Sequence, residues 1–450
     1  MNTAIYPSLS LTEETKEQTL SQKAGGICIA IALLAVVAAL SGGAKGYSVL
    51  MMSGIIGMFF TGAVFYALPY FKGPAGIRNN GIMFKSMTNR GAIAWIFAIA
   101  LTGFYIIIYW FPFMLEGLIR VFDPLSQLLS GKPADQWFMY GLFYTLAVVT
   151  MGIRFIGKNR NSRYHIIRTF SVMFFQTGFA FLIPMFLKKL NEPEFYFSYF
   201  WPLKYSYLFP SDVSSLMSSG HLGVFMVFWG AMMTFIATPI LTYKYGKRWY
   251  CSWVCGCGGL AETAGDPYRH LSDKSLKAWK IERWMVHSVL VIITTTTILL
   301  WLNSYYKGGI LGSVSGAFAQ WYGFFIGAVF SGVIGVGFYP IMGSRVWCRF
   351  GCPMAAVLGI FQRFKSKFRI TTNGGQCISC GNCSTYCEMG IDVRSYAQKG
   401  QNIVRASCVG CGICASVCPR GVLKLENGKE EGRIDNKPIT IGNNNISVHL

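Results

Sequence analysis

The chain has 450 residues, of which 53% are hydrophobic and only 13% charged, with a mean hydropathy of +0.41. Soluble domains carry about 25% charged residues, so these proportions exclude an ordinary soluble globule and indicate a protein of the lipid bilayer. The net charge of +21 would suit a nucleic-acid binder, but most of the basic excess flanks apolar runs, where topology and anionic lipid headgroups account for it without nucleic acid.

Residues 1–24 form a polar tail carrying Glu13, Glu14, Lys16, Glu17 and Lys23. The tail lacks the basic start, short apolar core and small-residue cleavage site of a removable signal, so the first apolar segment is expected to stay as an anchor. Runs of about 20 residues, long enough to span, follow at 25–41, 48–70, 92–115, 137–154, 169–187, 222–243, 284–303 and 321–342. About eight transmembrane helices are expected, divided into an N-terminal membrane module (25–221) and a membrane core (222–362).

Orientation follows from the basic residues. Lys and Arg number 17 in the loops 70–90, 154–168 and 244–283, against seven in the alternate loops. By the positive-inside rule the 17-charge loops face the cytoplasm, and both termini lie with them. The outer loop 188–221 is crowded with rings from Phe195 to Phe209. Its composition reads as an aromatic belt at the membrane surface, or as a docking surface for a partner outside. His287, one turn into the seventh run, is either a hydrogen-bonded packing residue or part of a quinone site, because a histidine in a membrane needs a partner.

Two cysteine constellations follow. Gly246-Lys-Arg248-Trp-Tyr250-Cys251-x-x-x-Cys255 closes the sixth run and Gly343-Ser-Arg345-Val-Trp347-Cys348-x-x-x-Cys352 closes the eighth, in register 97 residues apart. This is an internal repeat of a hairpin ending in a thiol pair near the cytoplasmic face. On a continuing helix, residues i and i+4 share a face, so Cys251, Cys255, Cys348 and Cys352 could converge into one four-thiolate centre at the membrane interface. Gly323-x-x-x-Gly327 and glycines 332, 335 and 337 would let backbones approach closely. Four thiolates suit an iron–sulfur cluster, zinc or Cu(I); two dithiol–disulfide pairs are the alternative. Cys257 is a further thiol, a substitute ligand or a spectator.

The second constellation lies in 363–425. Cys377, Cys380, Cys383 and Cys387 are followed by Cys408, Cys411, Cys414, Cys418 and Pro419, each run reading C-x-x-C-x-x-C-x-x-x-C. Zinc sites show two C-x-x-C pairs with a longer gap. The triple spacing is that of a two-cluster ferredoxin, in which the fourth cysteine of each run ligates the other 4Fe–4S cluster. Cys377, Cys380, Cys383 and Cys418 are therefore expected on one cluster, and Cys408, Cys411, Cys414 and Cys387 on the other. Glycines 381, 410 and 412 sit where the backbone must turn sharply. Glu388 occupies a position where proline is usual. Residues 426–450 read as a short hairpin or tail. No C-x-x-C-H occurs, which excludes attached c-type haem. Five histidines with no facing pair leave a bis-histidine haem poorly supported. Twelve of fourteen cysteines are ligand-spaced and Cys28 lies in an apolar run, consistent with reduced thiols rather than disulfides.

The repeated C-x-x-x-C followed by a two-cluster ferredoxin with Gly390-Ile391-Asp392-Val393-Arg394 resembles the NapH/NosR/CcoG group. The group comprises membrane polyferredoxins of nitrate and nitrous oxide respiration and of oxidase assembly. The resemblance covers about residues 222–425 and departs at Gly256-Cys257-Gly258-Gly259, where the family usually has proline. It implies an α-helical polytopic protein of the bacterial cytoplasmic membrane with a small C-terminal α+β ferredoxin domain. The expected role is electron transfer between two cytoplasmic 4Fe–4S clusters, the membrane cysteine centre, and a quinone or a respiratory reductase or oxidase partner. The alternative is a copper reductase or assembly factor for a terminal oxidase or reductase. No acid, base or nucleophile set for covalent chemistry stands out. A transporter coupled to electron flow would need more charge within the spans.

Overall fold

A computed structural model of the chain describes residues 18–42, 46–73, 75–76, 85–427, 439–441 and 446–448. Residues 1–17 of the expected tail lie outside this set. Among the described residues, eight helices are long and apolar enough to cross a membrane: Leu20–Leu40, Ser48–Lys72, Ala92–Trp110, Gln136–Lys158, Arg163–Lys189, His221–Tyr245, Leu276–Tyr305 and Ser315–Ile334. Their ends carry local signals. Thr19 and Gln22 form a capping box on the first, and Asp135 and Ser275 accept the amides of Phe138 and Ala278 on the fourth and seventh. Pro184 and Pro239 lack an N–H, and the turns just before them open to the wider i→i+5 pattern in the fifth and sixth spans.

The first span buries only Gly25, Ala32 and Ala39 and leaves Ile27, Ile31 and Leu34 exposed, so its small-residue stripe faces protein and its large residues face lipid. Contact with the second span is closest at Gly25 and Gly62, where a Cβ on either would lie 2.6 or 2.8 Å from the other's carbonyl oxygen.

The loops after the second, fourth, sixth and eighth spans are tied together on one face. Arg160 donates to the Tyr70 carbonyl at 2.7 Å, and Arg90 donates to the carbonyls of Leu271 and Ile341 at 2.8 Å. The cysteine-rich C-terminal unit docks on this face, which also carries Arg90, Arg160, Arg168 and Arg269 of the basic loops. An antiparallel pair, Phe368–Thr372 with Leu423–Asn427, closes that unit by joining the segment before the first cysteine run to the one after the second. Beyond it, Ile439–Ile441 pairs with Ile446–Val448 as a hairpin.

The loop 190–220 departs from the surface belt anticipated from its composition. It starts at the opposite face but folds inward, so that Phe195, Phe200, Tyr207 and Phe209 are buried in protein. Tyr250 donates to the Ser198 carbonyl at 2.7 Å, Phe200 stacks parallel to Trp249 at 6.4 Å, and Trp201 donates to Thr297 at 3.2 Å. An aromatic-rich loop serves equally well as a belt or as core, and here burial wins. The glycines of the eighth span also differ from expectation. Gly323 and Gly327 receive the ring of Tyr205 and Gly332 those of Tyr105 and Tyr109, while only Gly337 meets a neighbouring backbone, at Thr102.

Candidate metal centres

The two cysteine runs fold as equivalent loops. Gly381 and Gly412 have φ of 82° and 84° and each precedes a one-turn helix, Asn382–Thr385 and Ile413–Ser416. Gly410 takes φ of 64°, and the matching position in the first run is Ser379, left-handed at 57°. These positive φ values swing the backbone so that successive cysteines point inward. Cys377, Cys380, Cys383 and Cys418 line one cavity together with Pro419. In the other half, Cys414 lies in the field of Cys411, Cys408, Cys387 and Cys383. The first cavity thus gathers three sulfurs from one run and the fourth from the other.

Burial pushes these thiols up, Cys383 to about 12 and Cys408 to about 11. Packed together away from water, they would ionise only against a cationic centre, which reverses that sense. The donor set therefore fits iron–sulfur ligation. The amide of Ile391, 3.4 Å from the Cys387 sulfur, is the kind of donor that tunes such a site.

Cys251, Cys255, Cys348 and Cys352 are all buried and belong to one packed cluster. They do not sit on continuing helices. The helix breaks after Cys251, and Cys255 and Cys352 occupy extended N-cap positions from which new helices start, Gly256–Glu262 and Pro353–Lys365. The pairs are brought together by this paired break, so convergence survives although the i, i+4 face does not. Cys257 packs against the group. The departure at Gly256–Gly259 has a packing cause: a Cβ at Gly258 would overlap the Cys251 carbonyl, and one at Gly259 would overlap Val172.

The neighbours of this group come from two sides: a Cβ at Gly256, next to Cys255, would lie 2.5 Å from Oε1 of Gln176, at the middle of the fifth span, and 2.8 Å from the hydroxyl of Tyr199 in the infolded loop. Among the described residues, no three His, Cys, Asp or Glu side chains close to the spacing that a single ion takes. Lone zinc gathers thiolates at about 2.3 Å, whereas a cluster holds them farther apart around its irons.

The cysteine-rich unit is held to the membrane part at one loop. The carbonyls of Cys408, Val409, Gly410 and Cys411 accept, in order, from Gln362 (2.8 Å), Ser252 (2.8 Å), Tyr164 (2.8 Å) and Arg168 (2.7 Å). The half containing Cys408, Cys411 and Cys414 therefore faces the membrane cysteines, and both groups belong to one continuous buried core. The other half faces water beside exposed Arg394 and Arg420.

Between the two groups runs a buried lattice of charge. Glu388 pairs with Arg269 and, at 2.9 Å, with Arg345. Arg345 reaches Glu262 at 2.6 Å and places Nη1 3.6 Å from the Cys348 sulfur, and Glu262 pairs with Arg168 at 2.7 Å. Arg269 also meets Asp266, which takes Lys158 at 2.7 Å and Arg154 at 3.3 Å. Burial alone would raise the Asp266 and Glu388 carboxyls, but the surrounding cations hold both below the ordinary carboxylate range. Sequence reading treated Glu388 only as a missing proline. Its signal was there, a carboxylate in the midst of a cysteine run, but the partners lie far away in sequence. His287, the histidine considered for a quinone, bonds the Arg283 carbonyl of its own helix at 2.7 Å.

Residues 376–423 match the 4Fe-4S dicluster domain family, and residues 227–276 and 322–371 each match the 4Fe-4S binding domain family. The second pair of matches reproduces the hairpin repeat. YccM of Escherichia coli (strain K12), named as a candidate electron transport protein, is 27% identical over 191 residues, covering 37% of this chain and 48% of YccM. The uncharacterized protein MJ0749 of Methanocaldococcus jannaschii is 25% identical over 168 residues, covering 36% of this chain and 59% of that protein. The chain thus spans about half to three-fifths of the length of these relatives. No solved structure matches it.

Proposed function

We propose that this chain is a membrane-anchored electron-transfer protein that exchanges electrons between two ferredoxin-type 4Fe–4S clusters, a third centre at the membrane cysteines, and a quinone or a respiratory partner. The observation that carries the reading is the docking of the loop 408–411. Four consecutive carbonyls bound by the membrane part set one cysteine pocket against the membrane cysteines and leave the other facing water. A 4Fe–4S cluster supplies a one-electron couple, with a potential set by burial and by hydrogen bonds to sulfur. The chain's own residues bury the donors, fix their spacing and lay the Arg345–Glu388 contact between Cys348 and Cys387. Arg394 and Arg420 beside the outer pocket suit an acidic soluble donor or acceptor. Twin 4Fe-4S binding matches over the hairpins support iron–sulfur chemistry at Cys251, Cys255, Cys348 and Cys352 ahead of a lone copper ion. A NapH-like role in the bacterial cytoplasmic membrane, with the ferredoxin face inside, is the most specific form of this reading.

The direct test is Cys411→Ser in full-length protein purified without oxygen. One of two 4Fe–4S signals in the reduced EPR spectrum should vanish or change, with the crossed ligation weakening its neighbour. Two unaltered signals would sink the ligand assignment. Orientation is checked separately: a reporter fused after Leu450 should read cytoplasmic and one inserted at Ser214 external. The reverse pattern would put the ferredoxin unit in the wrong compartment.

A further inference from the structure

A cavity of about 400 Å³ lies between the third and fourth spans, the segment after the sixth span, and the end of the eighth. It follows the fourth span from Tyr140 to Lys158, about 27 Å of helix. Its walls are apolar and aromatic over most of their length, and its charged and polar groups gather toward the ferredoxin-side end, where Arg154, Lys158, Asp266 and His270 line it. Phe97 both lines the cavity and is 38% exposed on the lipid side of the third span, so the cavity opens sideways toward the bilayer.

Its neighbours decide what it is for. Tyr386, next to Cys387, lines one end. Tyr140, Tyr144 and Tyr339 line the inner stretch together with Leu260, which stands on the short helix capped by Cys255. A ligand there would be lipophilic, flat enough to lie among rings, polar at one end, supplied from the membrane, and beside both cysteine systems. Ligand pockets with mostly apolar walls and a few placed polar groups are of this size.

We infer that this cavity binds a membrane quinone, its ring held among the tyrosines, a carbonyl toward the Lys158–His270 end, and its isoprenoid tail leaving past Phe97. The inference rests on the electron-transfer reading and selects the quinone from its two kinds of partner. The balanced couple is quinone plus two electrons and two protons giving quinol, or the reverse. The electrons are exchanged one at a time with the iron–sulfur centres and the protons with water.

The test uses full-length protein in detergent, with decylubiquinone as the titrant and an azido-ubiquinone as photolabel. Saturable binding and labelling of peptides from the third and fourth spans are expected. Ala147 lines the cavity from the fourth span and Ala264 from the segment after the sixth, and filling the space through Ala147→Phe or Ala264→Phe should weaken decylubiquinone binding about tenfold or more. Iron content and the EPR spectrum of the reduced protein should stay as in the wild type. Unsaturable binding, equal affinity in both folded variants, labelling elsewhere, or a phospholipid retained in the cavity through delipidation would overturn the quinone site. The electron-transfer reading fails on a different result, the absence of iron and acid-labile sulfide from the wild type.

Discussion

Replacing Cys348 with serine should lower the iron of anaerobically purified protein from about twelve atoms per chain to about eight, given four irons per cluster. Cys348 is buried beside Cys251, Cys255 and Cys352, and Arg345 lies 3.6 Å from its sulfur. A serine hydroxyl is a poorer donor for a soft metal centre than a thiolate. Ligands of one centre act as a unit, so replacing any of the four should cost the same iron, and replacing all four should cost no more. Eight irons in the wild type, with no other metal, would refute a membrane metal centre. Thiols that open and close with redox potential would then identify two dithiol pairs.

Glu388→Gln should be the most destabilising change outside the ligands. The side chain is fully buried and pairs with both Arg269 and Arg345. Removing its charge leaves two buried guanidinium groups short of a partner, and breaking a buried pair in this way costs about 3–5 kcal/mol. Glu388→Pro separates two explanations. Proline is the usual residue after the fourth cysteine, so if only turn shape mattered it would be tolerated; if charge matters it should cost as much as glutamine. Thermal unfolding of the detergent-solubilised protein, and protease release of the ferredoxin unit, read the effect. Wild-type stability of either variant would refute the lattice as a clamp. Asp266 adds a pH signature. Its folded pKa lies below the unfolded 3.8, so its contribution is complete above about 3.8 and is lost as pH falls further. Asp266→Asn should flatten that acid limb of the stability curve.

What could be read from sequence was what is local. The cysteine runs fix their loops through spacing and glycine, and the spans announce themselves by length and apolarity. The break after Cys251 escaped because i, i+4 spacing assumes an unbroken helix, although Pro353 at a first helical position was a warning. Glu388, Arg345 and Glu262 were not legible as a set, since Glu262 and Arg345 are 83 residues apart and Arg269 and Glu388 119. Their pairing depends on how the ferredoxin docks. The inward course of 190–220 was hidden for another reason. A run of Phe, Tyr and Trp satisfies a membrane surface and a protein core alike.

That inward course has an electrical consequence. Tyr199 descends from one face of the span layer to Gly256, beside Cys255, where Gln176 at the middle of the fifth span also lies, while Arg345 and Glu388 approach from the other face. If the cysteine group there holds a redox centre, an electron moving to it from the water-facing pocket would traverse part of the transmembrane voltage. A full crossing is worth about 2.3 kcal/mol per 100 mV, so a half-way stop is worth about 1 kcal/mol. Energising the membrane would then redistribute electrons between the shallow and deep centres several-fold, with no change in any ligand, and the chain would respond to voltage without a gating charge.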